Sequence, residues 1–260
     1  MRARADYTTR DVDVVPAASL LAEPTRAAML TALLDDRPLA AGELARLAGV
    51  SPATASAHLA RLLHGGLVTV ISQGRHRYYR LAGPEVAAAM EALAHLSPVT
   101  PVRSLRQSQD AAALAEARTC YDHLAGRAGV ALLDALLARR FLTWLPDDGE
   151  PANGGRSARN AVPAEHRLPD RFEVTADGLA TLSSFGLDIA VLRRARRRFA
   201  GACLDWTERR PHLNGALGSA ITARLFGLGW IERGKRRRAV QVTQAGAEGL
   251  AATFGWSLGS

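Results

Sequence analysis

Two short stretches near the N-terminus carry apolar residues at helical spacing. In the first, residues 44–48 place leucine and alanine on one face, and Gly49 interrupts the pattern where a left-handed turn residue is needed. Ser51 followed by Pro52 predicts the start of a second helix, because a hydroxyl N-cap and a proline at the first helical position both favour initiation. Leucines within 59–63 give this second helix its buried stripe.

An apolar hairpin follows the second helix. Gly65 and Gly66 end the helix, residues 67–71 predict a strand, and residues 78–81 predict its return. The connection at 74–77 contains two arginines and a histidine. Residues 39–81 therefore predict two helices joined by a tight turn, followed by a hairpin with a basic tip.

Small and hydrogen-bonding side chains fill the N-terminal half of the second helix. A helix that enters the major groove of DNA needs such side chains, because a bulky face could not approach the base edges. We expect Ser56, Ala57 and His58 to approach base edges. The residues expected to contact phosphates are Ser51, Thr54 and Arg61 on the helix and Arg75, His76 and Arg77 at the hairpin tip.

Residues 16–96 resemble the winged helix-turn-helix of the ArsR/SmtB family of bacterial repressors. The resemblance rests on LLAEPTR at 20–26, ELA at 43–45, SPATASAHL at 51–59 and GLV at 66–68. It implies a homodimeric transcriptional repressor that binds a double-stranded DNA operator with two half-sites. It also implies release from the operator when an effector binds.

The two best-known metal sites of that family are absent from this sequence. Metal-sensing members often carry a cysteine pair in the helix that corresponds to residues 43–48, and none is present here. Others place ligands on the last helix of the domain, where this chain offers Glu85, Glu91 and His95 at a spacing that does not build a tetrahedral site. That helix, 85–96, is predicted to pack against the first helix, 17–34, as a dimer interface or within one core.

The C-terminal half contains an internal repeat. The sequence HLAGRAGVALLDALLARRFLTW from His123 aligns with HLNGALGSAITARLFGLGWIER from His212 at a constant offset of 89 residues. Each copy continues into a strand that ends in Val-Thr. A duplicated unit usually packs on its copy, so the repeat predicts two similar units about a pseudo-twofold axis.

These patterns predict a fold class that is mainly α with small β-hairpins (α+β). An N-terminal winged helix-turn-helix is followed by a pseudo-twofold tandem of winged-helix-like units. The predicted organisation is a flexible tail at 1–15, a DNA-binding domain at 16–96, a linker at 97–110 and a duplicated domain at 111–258. Within that last domain the copies span about 118–186 and 203–256, with a mobile loop at 146–170.

Cysteine and histidine accompany both copies and are the effector candidates. Cys120 precedes His123 by three residues, so the two share a face if this stretch is helical, and Cys203 and His212 accompany the second copy. Two cysteines and two histidines are a tetrahedral set for zinc or another soft metal. Cys120 and Cys203 could instead form a redox-responsive pair, or all four could simply pack. Their cysteines are not equivalent in the repeat, so the repeat does not predict that they meet. An organic effector between the copies is a further alternative.

Composition bounds the remaining function classes. Two cysteines in 260 residues favour a reducing cytoplasm, and no apolar run approaches a membrane span. A phosphate loop, a nucleophile elbow, a metalloprotease motif and clustered carboxylates are all missing from the sequence, so we expect no enzyme.

The excess positive charge lies at the C-terminal end. The net charge is +8, and residues 191–260 hold 13 basic but only 4 acidic side chains. One cluster, 193–198, is predicted on a helix, and another, 233–238, in a loop. They are either solvated faces or extra phosphate contacts. The second interpretation leaves open an architectural DNA-binding protein without an effector.

Overall fold

The computed structural model describes residues 13–74, 76–98, 101, 103–145 and 171–258. Their contacts divide them into two compact units, one within Met1–Leu33 and Arg37–Val86, the other within Leu34–Asp36 and Ala87–Ser260. The predicted mobile loop at 146–170 and most of the predicted tail lie outside the described residues. No helix in the described part of the chain has the length and apolar character needed to cross a membrane.

The first unit is the predicted winged helix-turn-helix. Its elements are α1 (Val15–Leu21), α2 (Pro24–Ala32), β1 (Leu39–Ala40), α3 (Ala41–Ala48), α4 (Pro52–His64), β2 (Val68–Gln73) and β3 (His76–Leu81). The strands form an antiparallel sheet in the order β1-β3-β2. Met29, Leu44, Leu59 and Leu81 are fully buried and form its core.

Local sequence explains the element boundaries in this unit. Gly49 ends α3 with a positive φ of 69°, and the Ser51 hydroxyl caps α4. The single helix expected over 17–34 is wrong, since α1 and α2 are separate. Glu23 adopts an extended conformation, and its carboxylate accepts hydrogen bonds from the N–H groups of Thr25 and Arg26, which starts α2 afresh at Pro24.

The second unit contains the remaining elements. Helix α5 (Pro84–Leu96) begins in the first unit and continues into the second, and α6 (Leu105–Glu116) follows. Part of the segment expected to be a linker is therefore helical. The other elements are β4 (Arg118–Cys120), β5 (His123–Ala125), α7 (Gly126–Ala138), β6 (Leu142–Leu145), β7 (Arg171–Val174), α8 (Ala176–Ser184), α9 (Ile189–Arg193), β8 (Gly201–Leu204), β9 (Pro211–Asn214), α10 (Gly215–Gly227), β10 (Ile231–Arg233), β11 (Val240–Val242) and α11 (Gln244–Phe254).

One order of elements occurs twice in this unit. A short hairpin, a 13-residue helix, a second hairpin and a final helix appear as β4-β5-α7-β6-β7-α8 and again as β8-β9-α10-β10-β11-α11. Both 13-residue helices begin at a glycine with positive φ, Gly126 at 74° and Gly215 at 85°. Leu133, Leu217 and Leu225 contribute to a single core that takes residues from both sets of elements. Descent of the two sets from a duplication stays a prediction.

The arginine cluster at 193–198 lies in less regular structure than expected. Helix α9 ends at Arg193, so the prediction of a helix through residue 198 is wrong. Arg193 pairs with Glu173, Arg197 with Asp122, Arg236 with Asp110 and Arg238 with Glu91. Arg197 therefore lies outside the helix, and all four acidic partners belong to the same unit as their arginines.

Candidate functional site

Helix α4 presents one buried and one exposed face. Ala55, Leu59 and Leu62 are buried, whereas Ser56, Ala57 and Arg61 are exposed together with Ser51 and Thr54. Thr54 donates its backbone N–H to the Ser51 hydroxyl at 3.1 Å, and the two hydroxyl groups lie 2.9 Å apart. The first turn therefore presents small polar groups beside the N–H groups of the helix N-terminus, an arrangement suited to a phosphate.

His58 lies elsewhere than the sequence suggested. Its side chain is only 16% exposed, and Nδ1 lies 3.3 Å from the Glu23 carboxylate. Position 58 is three residues after Ala55 and four before Leu62, so it borders the buried stripe rather than the centre of the exposed face. In this structure the imidazole packs beside Glu23 inside the unit, so an approach of His58 to base edges stays a prediction.

The hairpin of β2 and β3 carries the predicted basic tip. Pairing runs from Val68 opposite Leu81 to Gln73 opposite His76. His76 and Arg77 are exposed at its end, while Arg75 lies outside the described residues. Arg80 is also exposed on β3, and the sequence pattern did not single out this cation because the strand register was needed to place it.

The four effector candidates converge in the second unit. Cys120, His123, Cys203 and His212, here called the Cys–His cluster, bring one ligand atom each within 4.8 Å of one another. Cys120, His123 and His212 are buried, and Cys203 is half-buried. Such a group of two sulfur and two imidazole donors could hold a metal ion.

Strand pairing places each cysteine of the cluster opposite a histidine. Cys120 is the cross-strand partner of His123 in β4-β5, and Cys203 is the cross-strand partner of His212 in β8-β9. The condition of a helix through Cys120 and His123 is not met, and the two residues face each other across a hairpin instead. Two residues separate the pair in the first hairpin and eight in the second, so a longer turn hides the equivalence of the cysteines from a comparison at constant offset.

Glycines bring the two hairpins into contact with the opposite helix. A Cβ added at Gly129 in α7 would lie 3.6 Å from the Cβ of His212, and one at Gly218 in α10 would lie 3.4 Å from the Cβ of His123. The two imidazole rings stack with centroids 5.2 Å apart and planes inclined by 29°. The reciprocal contacts fix the two histidines face to face.

The cluster contains imidazoles in different electrostatic surroundings. Burial, together with the neighbouring His123, lowers the pKa of His212 to about 3, so His212 is neutral. Burial also disfavours the charged form of His123, but Asp122 and Cys203 outweigh it and raise its pKa. His123 donates Nδ1–H to Asp122 at 3.1 Å, and its Nε2 is buried without a hydrogen-bond partner among the described residues.

The two thiols are also inequivalent. A hydrogen bond from Cys120, together with the effect of His123, lowers the pKa of Cys203 to about 3 against the effect of burial. The same hydrogen bond between the thiols, together with burial, raises the pKa of Cys120. Asn214 donates Nδ2–H to the Cys203 sulfur at 3.1 Å. The arrangement favours a thiolate at Cys203, the form that binds metals and reacts with oxidants.

A buried ion pair supports the turn that follows Cys203. Arg118 and Asp205 have fully buried side chains and lie 2.9 Å apart, and Asp205 also accepts the N–H of Gly126 at 2.7 Å. Burial raises the pKa of Asp205, but Arg118 and Thr207 more than offset this and hold it below its usual range. No sequence pattern signals this pair, because only the fold brings residues 87 apart into contact.

Known proteins resemble this chain both in the first unit and over nearly its full length. Residues 21–71 match the sequence profile of a family described as a helix-turn-helix domain. The HTH-type transcriptional regulator YdfF of Bacillus subtilis, itself uncharacterized, is 39% identical over 234 residues, which are 90% of this chain and 93% of that protein.

Solved structures resemble about a third of the chain. HlyU from Vibrio cholerae is 32% identical, with 32% of this chain and 89% of that one covered and a TM-score of 0.30. The cadmium sensor CMTR from Mycobacterium tuberculosis is 32% identical, with 35% and 99% covered and a TM-score of 0.29. A homodimeric winged helix-turn-helix domain from Mycobacterium bovis is 36% identical, with 32% and 75% covered and a TM-score of 0.29.

Proposed function

Because the chain belongs to the HTH-type transcriptional regulators, we propose that it is a homodimeric repressor that releases its DNA operator when an effector binds the second unit. Membership of the family rests on the full-length relative and the helix-turn-helix profile. The repressor activity, the dimer and the effector are the proposed parts.

DNA reading is assigned to α4 and the β2-β3 hairpin. Ser56 and Ala57 are exposed on α4 and small enough to let the helix approach base edges. The exposure of Ser51, Thr54 and Arg61 supports their proposed role as phosphate contacts beside the same groove, and that of His76 and Arg77 supports contacts with the neighbouring backbone. Arg75 is added to this set from its sequence position alone.

A homodimer is supported by the apolar surface of α5. Leu93 is 41% exposed and Leu96 is 83% exposed, and alanines at 88, 89 and 92 extend this surface. Burial of such residues against a second copy removes apolar area from water. A twofold dimer would present two α4 helices to two half-sites of an operator.

The Cys–His cluster is the proposed effector site. The observation that carries this assignment is the convergence of four donor atoms within 4.8 Å from two hairpins far apart in sequence. Buried nitrogen atoms without partners cost free energy unless a ligand satisfies them. A metal ion would do so, whereas oxidation of Cys120 and Cys203 to a disulfide by an added oxidant is the second candidate, favoured by the closeness of their sulfur atoms, which lie within 4.8 Å of each other.

Selection of duplex DNA from a random pool tests the DNA-binding part of the proposal. The full chain, with its cysteines kept reduced, should enrich a sequence with two inverted half-sites, and Ser56→Ala should change the enriched bases. Enrichment of a single half-site would contradict the dimer. Retention of DNA without any enriched sequence would favour an architectural protein instead.

A further inference from the structure

We infer that the Cys–His cluster is a tetrahedral site for a soft divalent cation such as Zn²⁺. We also infer that binding of the ion changes the position of helix α5 through the contacts of Glu91 and His95. This assignment rests on the proposed function and names the ligand class and the regulatory contact of that effector site. Three features support it: the donor set, the engagement of the nearby carboxylates, and the fastening of both cysteine strands to α5.

The donor set selects soft cations over hard ones. Mg²⁺ and Ca²⁺ prefer carboxylate, carbonyl and water oxygen atoms, whereas two sulfur and two imidazole donors match Zn²⁺ and its heavier relatives. The two carboxylates beside the histidines are already occupied, Asp122 by His123 and Arg197, and Asp205 by Arg118. Asp122 is therefore placed to orient the His123 imidazole rather than to bind the ion, as carboxylates next to metal-bound histidines commonly do, and Asp205 is held by its ion pair.

The donors are close enough for binding with a small contraction. Zinc–sulfur and zinc–nitrogen bonds of about 2.3 and 2.0 Å place tetrahedral ligand atoms roughly 3.3–3.8 Å apart. The ligand atoms of the cluster lie within 4.8 Å of one another. An ion would therefore draw these ligand atoms together by up to about 1.5 Å. Two thiolates would balance its charge: Cys203 already favours that form, and the proton of the Cys120 thiol, with any proton on Nε2 of His123, would pass to solvent.

Strand β8 is fastened to α5 next to Cys203. His95 donates Nε2–H to the carbonyl oxygen of Leu204 at 2.9 Å, and Leu204 directly follows Cys203 in the chain. Movement of Cys203 toward an ion changes the position of this carbonyl group. His95 is in the last turn of α5, so the contact acts directly on that helix.

Strand β4 is fastened to the same face of α5 next to Cys120. Arg238 donates its Nε–H to the carbonyl oxygen of Thr119 at 3.0 Å and also pairs with the buried carboxylate of Glu91. Thr119 directly precedes Cys120. Glu91 and His95 lie four residues apart and so share one face of the helix. Both cysteine strands are thus connected to that face.

Helix α5 is continuous with the DNA-binding unit. Its first residues, 84–86, group with that unit, and it begins three residues after β3 ends. A contraction of the cluster that shifts α5 therefore changes the element that follows the β2-β3 hairpin. Such coupling requires no new contact with DNA, only a different position of α5 in the metal-bound state. Glu91 and His95 are positioning residues in this scheme, and neither is a ligand.

Binding is measured first, with Co²⁺ as the probe and without DNA. Metal-free full-length protein in a reducing buffer that does not bind metals should develop the intense visible bands of tetrahedral cobalt at one ion per chain. Zn²⁺ should abolish these bands, and Cys203→Ser should prevent them. In the unsubstituted chain Zn²⁺ should also slow alkylation of both thiols, which tests the site even if the variant fails to fold. The weak spectrum of six-coordinate cobalt, or alkylation indifferent to Zn²⁺, would overturn the site.

Coupling is measured next, with the operator obtained by selection from the random pool. Saturating Zn²⁺ should weaken binding of the wild-type chain by about tenfold or more, within the usual range of allosteric coupling. His95→Gln and Glu91→Gln should bind Co²⁺ as the wild type does, yet lose most of that tenfold response. Glu85→Gln, the same substitution on an exposed residue of the same helix, should keep it. A full response in both the His95 and Glu91 variants would overturn the role of α5.

Failure of the proposed function and failure of the metal site give different results. Absence of sequence-specific DNA binding would refute the proposed function while leaving the cobalt spectrum unaffected. Specific DNA binding that responds to a disulfide-forming oxidant but not to Zn²⁺ would keep the proposed function and overturn the metal site.

Discussion

At the scale of single residues, the second unit buries polar groups where an apolar core would be simpler. Arg118 and Asp205 are fully buried. In the cluster beside them, Nε2 of His123 and both ring nitrogens of His212 have no hydrogen-bond partner among the described residues. Burying such groups costs free energy unless each is paired or bound to a ligand. Their arrangement is therefore explained better by a site that they support than by stability alone.

Asp205→Asn should destabilise the protein by about 3–5 kcal/mol, because it leaves the Arg118 guanidinium buried without its counterion. Denaturant unfolding of the metal-free chain measures this loss. The matched control is Asp134→Asn, which removes the ion pair with Arg210, whose two side chains are about half exposed. That change should cost less than about 1 kcal/mol. Equal losses for the two variants would show that the buried pair has no special role.

At the scale of elements, close approach at glycine positions holds the repeated hairpins against the 13-residue helices. A Cβ at Gly218 would lie 2.5 Å from the carbonyl oxygen of Leu213, and one at Gly129 would lie 2.4 Å from that of Leu124. No shift of a flexible side chain can relieve contacts with backbone atoms. These glycines therefore set the distance between the two histidines of the cluster.

Gly218→Ala should destabilise the fold by about 1–3 kcal/mol, the usual cost of forcing an extra methyl group into a packed contact. Gly227→Ala lies in the same helix, where an added Cβ meets nothing within 4 Å. It should be neutral or slightly stabilising, because alanine favours a helix over glycine. Thermal unfolding of the two variants compares them, and a stable Gly218 variant would contradict the close approach.

Arg77→Ala should weaken binding to all DNA sequences alike, because we propose that Arg77, exposed near the hairpin tip, contacts the phosphate backbone rather than bases. The slope of log K against log salt should become shallower by about 0.9 for each phosphate that the variant no longer binds. Fluorescence anisotropy at several salt concentrations measures both effects. A changed base preference with an unchanged slope would mean that the hairpin reads sequence.

The elements of the first unit could be predicted from sequence because their signals are local. Caps, glycine turns and periodic leucines place α3, α4 and the hairpin within a few residues of their observed bounds. The position of His58 could not be predicted, because it depends on Glu23, which lies 35 residues earlier. In the second unit the repeat indicated equivalent histidines, but unequal turn lengths concealed the equivalent cysteines until strand register placed them.

At the scale of the whole molecule, a DNA-binding unit and a unit with a buried Cys–His cluster are joined by one helix. The profile match covers only residues 21–71, whereas the similarity to YdfF extends over 90% of the chain. The two proteins therefore share the sequence of the second unit as well as that of the first. Sequence patterns located the proposed DNA-binding surface. The connection through α5 could not be predicted from sequence, because its contact residues Leu204 and Arg238 lie more than 100 residues away from it along the chain.

The most direct test of the central claim is the affinity of the reduced, metal-free chain for its selected operator with and without one equivalent of Zn²⁺. We predict that the ion weakens operator binding by about tenfold or more, and that a chelator restores it. Identical binding curves, with the ion shown to be bound at the cluster, would contradict the claim that this site controls DNA binding.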